Sequence, residues 1–120
     1  MKILIADDEV SIVTALEFLL RGKGYAVDIA RNGEEALERV RDGRPDLVLL
    51  DVMMPMRSGY EVCMQIRSRP ELAGIKIIML SAKGGRADVQ KGIACGADLY
   101  ITKPFSNREV VEKIGQLLAR

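Results

Sequence analysis

The chain has 120 residues, of which 48% are hydrophobic and 29% charged, and these fractions are those of an ordinary globular protein. This length fits a single domain, residues 1–120, that can bury a hydrophobic core without disulfides or a structural metal. A formal net charge of +1 argues against nucleic acid or an anionic membrane as the main partner. The N-terminus lacks a signal peptide and no apolar run approaches the ~20 residues of a membrane span, so we expect a cytoplasmic protein.

Short apolar runs alternate with longer amphipathic segments along the first half of the chain. The first run, Ile3–Ala6, has strand length and precedes a helical pattern over Ile12–Leu20, which must end at Gly22–Lys23–Gly24. A second strand, Tyr25–Ile29, is followed by a helix over Asn32–Gly43 with Asn32 as its N-cap. Each strand–helix pair predicts one unit of a parallel sheet.

The second half repeats this alternation. Strands are predicted at Leu47–Leu50, Ile75–Leu80 and Leu99–Ile101, and helices follow Gly59 and Ser106. Ser106 is a second N-cap candidate, because its hydroxyl can accept a hydrogen bond from the first helical turn.

The segment Gly85–Cys95 has the weakest helical pattern. Its apolar stripe is thin, and Gly92 in its middle costs about 1 kcal/mol relative to alanine. We predict a marginal helix, which is either a mobile element or a plain surface helix.

Five strands alternating with five helices predict an α/β protein with a doubly wound, five-stranded parallel sheet in the order 2-1-3-4-5, the flavodoxin-like (βα)5 arrangement. The first strand is among the most apolar and should therefore be central. In such sheets the ligand site lies outside the carboxyl ends of the strands.

Polar residues follow four of the five predicted strands. Asp7 and Asp8 follow the first, Asp51 the third and Ser81 the fourth, and the fifth leads to Lys103. Each residue alone has an ordinary interpretation as a solvated turn, a helix cap or a surface charge. Their agreement at one edge of the sheet instead predicts a functional site.

The chemistry of this set is coherent. Three adjacent carboxylates repel each other without a cation, and oxygen ligands without His or Cys select Mg²⁺ or Mn²⁺. Lys103 can bind a phosphate oxygen and Ser81 adds a hydroxyl donor. This equipment suits attack of a carboxylate on a phosphoryl group, which gives an aspartyl phosphate. Glu9, the third acidic residue of the first cluster, is assigned to the start of the first helix, where negative charge suits the helix dipole.

Several other chemistries are excluded or disfavoured. The chain has no histidine, so Ser–His and Cys–His nucleophilic catalysis is excluded. Cys63 and Cys95 are the two cysteines, and we interpret both as small buried thiols. Tyr100 is either a half-buried aromatic residue of an edge strand or a side chain that responds to the charge of the site.

At this point the sequence closely resembles, over its whole length, the receiver domain of two-component response regulators. The motifs are "ADDE" after the first strand, "LLDVMMP" around Asp51, "MLSA" at Ser81 and "GADLYITKPF" near the end. The 2-1-3-4-5 strand order is itself that of chemotaxis receivers. The resemblance implies a signalling switch rather than an enzyme.

The resemblance implies a role for each residue of the site. Asp51 is similar to the phosphoacceptor, Asp8 to a direct Mg²⁺ ligand and Asp7 to a residue that holds metal-bound water. The backbone carbonyl of Met53 would complete the protein ligands.

For the switch itself, Ser81 resembles the hydroxyl that moves to the phosphoryl group, and Tyr100 the aromatic residue that then turns inward. Lys103 would bind the phosphoryl oxygens, and its bond to Pro104 is expected to be cis. The implied donor is a phosphohistidine on a sensor histidine kinase or a phosphotransfer domain.

The output would be controlled through the face formed by the fourth helix, the fifth strand and the fifth helix. Either a separate partner or an effector domain would read this face, and a phosphorylation-dependent homodimer is a further expectation. Leu99 stands where many DNA-binding members carry an acidic residue used in dimer pairing, which weakens that expectation. The run Met56–Arg57–Ser58 replaces a common Gly–Met–Asp and predicts a stiffer, more basic loop beside Asp51.

Two rival functions fit the same fold less well. A flavin-phosphate site needs a Gly- and hydroxyl-rich loop after the first strand, and this chain is acidic there. A phosphatase of the aspartyl-phosphate type expects a second aspartate two residues after the nucleophile, where this chain has Met53.

Overall fold

A computed structural model describes residues 1–119 of the chain. Strands and helices alternate in the predicted order, with these bounds: β1 (Lys2–Ala6), α1 (Val10–Gly22), β2 (Ala26–Ala30), α2 (Gly33–Gly43), β3 (Leu47–Asp51), α3 (Gly59–Arg67), β4 (Lys76–Ser81), α4 (Arg86–Ala94), β5 (Leu99–Thr102) and α5 (Asn107–Leu118). A one-turn 3-10 helix, Pro70–Leu72, lies between α3 and β4 and is not among the predicted elements. No helix within residues 1–119 is both long and apolar enough to cross a membrane.

The five strands form a parallel sheet in the order β2-β1-β3-β4-β5, which confirms the predicted topology. β1 lies between β2 and β3, as its apolar composition indicated. The register pairs Ala6 with both Ala30 and Leu50, and Asp51 with Leu80. The carboxyl ends of β1, β3 and β4 therefore reach the same edge of the sheet.

Helices cover both faces of the sheet, because successive residues of a strand point in opposite directions. Ile3 and Ile5 of β1 pack with α1 and α5 on one face, whereas Leu4 and Ala6 pack with α2 and α3 on the other. All four side chains are fully buried. This two-sided burial is the reason why the strands read as continuous apolar runs.

Two predicted strands were displaced by one residue. β2 and β4 begin at Ala26 and Lys76, one residue later than predicted, and β4 ends at Ser81. The residues left outside, Tyr25 and Ile75, still pack against the core. An apolar pattern reports burial rather than ladder hydrogen bonding, and this accounts for the shift.

Side-chain caps fix the starts of three helices. Asn32 Oδ1 accepts a hydrogen bond from the amide of Glu35 at 2.8 Å, and Ser106 Oγ accepts one from Glu109 at 3.3 Å, which confirms both predicted N-caps. Ser58 caps α3 in the same way, through the amide of Glu61 at 3.3 Å.

The fourth helix is thinly anchored, as predicted, but its glycine has a packing role. Within Arg86–Ala94, Gly92 alone is buried. A Cβ atom at position 92 would lie 2.6 Å from Cδ2 of Tyr100 and 2.9 Å from the sulfur of Met79. Gly92 therefore allows α4 to approach the sheet closely, and the cost of a glycine within a helix is offset by this contact.

The cysteines are free thiols within the described residues, Cys63 buried and Cys95 half-buried. The Cys63 thiol donates a hydrogen bond to the carbonyl of Cys95 at 3.2 Å. Burial raises the pKa of the Cys63 thiol to about 11, so it is a packing group at neutral pH.

Arg67 joins α3 to the strands at the opposite edge from the predicted site. Its guanidinium donates to the carbonyls of Gly96 at 2.9 Å and Ile75 at 2.8 Å, and to the carboxylate of Asp98 at 3.1 Å. Asp98 also accepts the amide of Ile77 at 2.8 Å, so the carboxylate and the guanidinium together fix the starts of β4 and β5.

We expect Arg67→Met to lower the free energy of unfolding by about 2 kcal/mol, because it leaves half-buried acceptors without a donor. The change is measured by urea denaturation. Arg69→Met is the matched control, since Arg69 is exposed and is expected to shift stability by less than about 0.5 kcal/mol. Equal losses in the two variants would contradict the bridging role of Arg67.

Candidate functional site

The polar residues predicted to converge do lie at one edge of the sheet. Asp51 and Ser81 are the last residues of β3 and β4, and Asp7 follows β1 directly. Lys103 follows β5, and its amide donates to the carbonyl of Ser81 at 2.7 Å. The parallel register brings these strand ends together, because all five strands point the same way.

Asp7, Asp8 and Asp51 form an acidic cluster. One carboxylate oxygen from each lies within 4.8 Å of the others. Asp7 is 0% and Asp51 is 4% exposed, whereas Asp8 is open to solvent. The set of hard oxygen donors, two of them removed from water, fits a divalent cation such as Mg²⁺. The cluster is therefore open to solvent on the side of Asp8.

Lys103 is the cation that the structure places among these carboxylates. Its ammonium lies 3.1 Å from Asp7 Oδ2, 2.8 Å from Glu9 Oε1 and 3.6 Å from Asp51 Oδ1. Burial lowers the pKa of Lys103, but the hydrogen bond to Glu9 and the charges of Asp51 and Asp7 outweigh it, so that the pKa lies above its ordinary value. The side chain stays charged and holds the cluster together.

Glu9 is a site residue that the sequence analysis did not identify. It does precede α1, as predicted, but within the described residues its carboxylate makes no capping hydrogen bond to that helix and instead binds Lys103. The assignment of this charge to the helix dipole alone was therefore incomplete. The available signal was that the first turn of α1 opens at the same edge as the Lys103 loop.

The backbone around Asp51 holds its carboxylate in place. The amide of Met53 donates to Asp51 Oδ1 at 3.3 Å. A Cβ atom on Gly59 would overlap the carbonyl oxygen of Asp51, so glycine at the start of α3 is what allows this helix to pack against the end of β3.

The electrostatic environment of Asp51 is unusual for a carboxylate. Burial, followed by the charge of Asp7, raises the pKa of Asp51, which lies at about 6 instead of its ordinary value of 3.8. Lys103 and the Met53 amide act in the opposite direction and do not cancel these effects. The ionised form of Asp51 is thus costly in the protein without a divalent cation.

Ser81 and Tyr100 meet at a common residue of the loop between β4 and α4. Ser81 Oγ accepts the amide of Lys83 at 3.0 Å, and the Tyr100 hydroxyl donates to the Lys83 carbonyl at 2.6 Å. Ser81 is fully buried and the Tyr100 ring is half-buried against the core. The Lys83 backbone was not a predicted site element, because backbone contacts leave no mark in a sequence.

The loop that follows Asp51 is tied to α2. The amide of Gly33 donates to the carbonyl of Pro55 at 3.2 Å, and the Arg57 guanidinium pairs with Glu34. Met56 adopts a left-handed backbone with φ of 74°. The basic charge predicted for this loop is therefore neutralised by an acidic neighbour.

On the other side of the site, the Lys103–Pro104 peptide bond is cis.

We expect Asp51→Asn to raise the free energy of unfolding of the metal-free protein by about 2 kcal/mol at pH 7.5. The pKa of Asp51 is raised in the folded state, so the penalty is complete above pH 6, shrinks as the pH falls from 6 toward 3.8, and disappears below that value. Urea denaturation in a chelator between pH 4.5 and 8 measures it. Asp42→Asn, at an exposed position of α2, is the control and is expected to change stability by less than about 0.5 kcal/mol. A stability gain for Asp51→Asn that does not depend on pH would contradict the assignment.

The chain has relatives among known proteins. The chain is 47% identical over 119 residues to the alkaline phosphatase synthesis transcriptional regulatory protein PhoP of Bacillus subtilis (strain 168). The alignment covers 99% of the chain and 49% of that protein, so the chain spans about half the length of this relative.

Solved structures share the fold at lower levels of identity. The signal receiver domain of a signal transduction histidine kinase from Syntrophus aciditrophicus is 35% identical, with a TM-score of 0.90 over 98% of this chain and 89% of that one. A CheY-like response regulator receiver domain protein from Methanospirillum hungatei JF-1 is 30% identical, with a TM-score of 0.90 over 98% and 93% of the two chains. The family model described as "Response regulator receiver domain" matches residues 3–115. The chain belongs to the response regulator receiver domain family of two-component signal transduction.

Proposed function

We propose that this protein is a phosphorylation-dependent switch in which Asp51 accepts a phosphoryl group. The observation that supports this most directly is the position of the Asp51 carboxylate, 4% exposed, with Asp7 and Asp8 oxygens within 4.8 Å and the Lys103 ammonium at 3.6 Å. Carboxylates whose charge is perturbed by burial and by close charged neighbours are concentrated at functional sites.

The proposed reaction begins with a phosphohistidine on a sensor histidine kinase or a phosphotransfer domain. An oxygen of Asp51 attacks the phosphorus, the new O–P bond forms, and the N–P bond breaks with its electron pair on the imidazole nitrogen. None of the 120 residues is a histidine, so the donor histidine lies outside this sequence. Lys103 lies close enough to Asp51 to bind the phosphoryl oxygens once its present ion pairs open.

A divalent cation, Mg²⁺ or Mn²⁺, would neutralise charge on the phosphoryl oxygens when bound. The residues that would hold it are Asp51, Asp8, the backbone carbonyl of Met53, and Asp7 through water. Asp7 is already committed to the Glu9 amide at 2.9 Å and to Lys103, which supports an indirect role for this residue.

We propose that the signal leaves the site through the loop between β4 and α4. Ser81 would exchange its hydrogen bond from Lys83 for one to the phosphoryl group, and this would release one of the two hydrogen bonds at Lys83 that hold the loop. The other is the hydrogen bond from the Tyr100 hydroxyl to the Lys83 carbonyl. Because this bond joins Tyr100 to the loop, the Tyr100 ring would move further inward as the loop moves. The thin anchoring of α4 supports a shift of α4, β5 and α5 at small cost.

The output would be read from the α4–β5–α5 face, by a separate partner, an effector domain or a second copy of the chain. The relative from Bacillus subtilis is named a transcriptional regulator and is about twice as long, which supports control of an effector domain in a cytoplasmic protein. In this chain Leu99 is half-buried on β5, and its apolar side chain provides no charge for pairing across a dimer.

Acquisition of a phosphoryl group should require Asp51 and should not require an exposed aspartate far from the site. With a radiolabelled small phosphodonor and Mg²⁺, we expect the wild-type protein to acquire label and Asp51→Asn to remain at background. Asp42→Asn, which removes the same charge far from the site, is expected to label like the wild type. Label on the Asp51→Asn protein would contradict the assignment of the acceptor.

Magnesium should stabilise the folded protein through the same cluster. At ten times its dissociation constant, Mg²⁺ is expected to add about 1.4 kcal/mol to the free energy of unfolding, because it binds the folded state and not the unfolded chain. Asp8→Asn should lose most of this gain, while Asp42→Asn keeps it. Denaturation with and without Mg²⁺ measures both, and an undiminished gain in Asp8→Asn would exclude Asp8 as a ligand.

A further inference from the structure

Glu9 makes the shortest contact to the lysine of the site. Its Oε1 atom lies 2.8 Å from the Lys103 ammonium, compared with 3.1 Å for Asp7 and 3.6 Å for Asp51. The Lys103 side chain is 11% exposed and its ammonium is thus held on three sides by carboxylates. An ammonium in this arrangement has to give up partners before it can bind a new anion.

We propose that Glu9 is a positioning residue that restrains Lys103 in the unphosphorylated protein, and that the Glu9–Lys103 ion pair opens when Lys103 binds the phosphoryl group. This inference rests on the proposed function, since it concerns the lysine that would receive the phosphoryl oxygens. The strength of the Glu9–Lys103 ion pair determines how readily Lys103 becomes available to bind phosphoryl oxygens. Asp51 remains the phosphoryl acceptor.

The burial of the three carboxylates indicates which partner Lys103 exchanges. Asp7 is 0% exposed and accepts the Glu9 amide at 2.9 Å, so its carboxylate is fixed by the backbone. Asp51 is the group that reacts. The Glu9 side chain is 53% exposed, and its carboxylate regains water when it leaves the ammonium. Glu9 is therefore the partner that can be released at the smallest cost.

The structure also has room for this release. Glu9 and Lys103 line a cleft of about 400 Å³ whose other walls are largely apolar, with Ile12, Pro104 and Phe105 among them. A Glu9 side chain that rotates away from Lys103 moves into this open cleft without displacing any packed group. The backbone of Glu9 keeps its place, because its carbonyl accepts the amide of Val13 at 3.1 Å.

The test compares Glu9→Gln with the wild type. This substitution removes the charge of the side chain and keeps its shape. With a small-molecule phosphodonor and Mg²⁺, we expect Glu9→Gln to be phosphorylated about two- to five-fold faster. Its apparent affinity for beryllofluoride should rise by a similar factor. Glu17→Gln is the matched control, since Glu17 lies on α1, the helix that Glu9 precedes, and pairs with Arg21 instead. An unchanged or slower rate in Glu9→Gln would overturn the proposal.

A Lys103→Met background separates restraint of the lysine from plain repulsion of the phosphodonor. If Glu9 acts through Lys103, the acceleration by Glu9→Gln disappears in this background. If Glu9 only repels the incoming anion, the same acceleration remains, and the proposal is wrong. Far-UV circular dichroism of both backgrounds shows that the rates compare folded proteins.

A measurement without metal or phosphodonor tests the ion pair on its own. In a chelator, Glu9→Gln is expected to lower the Tm by about 1–3 °C in the wild-type background, through loss of the pair. In the Lys103→Met background the same change should raise the Tm, because it removes a carboxylate from an uncompensated cluster. If Glu9→Gln shifts the Tm by the same amount in both backgrounds, Glu9 does not restrain Lys103 and the proposal is wrong. A non-additive Tm together with a wild-type protein that cannot be phosphorylated would instead overturn the proposed function and the role of the pair in it.

Discussion

The repulsion between carboxylates at the carboxyl edge of the sheet is the constraint on which the rest of the site depends. Asp7 and Asp51 are buried there within a few ångströms of each other, and Asp8 lies beside them. Two buried like charges raise each other's proton affinity unless a cation balances them. Lys103 supplies part of that balance, and its own charge is maintained by the same carboxylates. The negative charge that remains can be balanced by a divalent cation, or by the counter-ions that accompany a bound phosphoryl group.

This arrangement needs a scaffold that does not relax. The fully buried strands on either side of Asp51 prevent the carboxylates from separating, since any such movement would open the core. Gly59 brings α3 against the end of β3, and the Arg57–Glu34 pair holds the following loop on α2. The backbone of the acidic cluster is thus anchored by ordinary packing, while its carboxylates repel one another.

On the other side of the site, the loop between β4 and α4 and the α4 helix itself are weakly anchored. The loop between β4 and α4 is held by two hydrogen bonds at Lys83: its amide donates to Ser81, and its carbonyl accepts from the hydroxyl of Tyr100. The α4 helix beyond it buries little, and Gly92 lets it rest directly on Tyr100. A change of one hydrogen bond at Ser81 therefore acts on an element with little packing energy to resist it.

The sequence by itself determined the fold and most of the site. Apolar periodicity specified the five strand–helix units, and the residues after the strands identified Asp7, Asp8, Asp51, Ser81 and Lys103, because the ends of parallel strands necessarily share an edge. Strand ends were off by one residue where burial and hydrogen bonding differ. Only the tertiary structure decided the partners: that Glu9 binds Lys103, that Lys83 joins Ser81 to Tyr100, and that Gly92 is a contact. Those contacts join residues far apart in the chain or use backbone atoms, and neither leaves a periodic pattern from which they could be predicted.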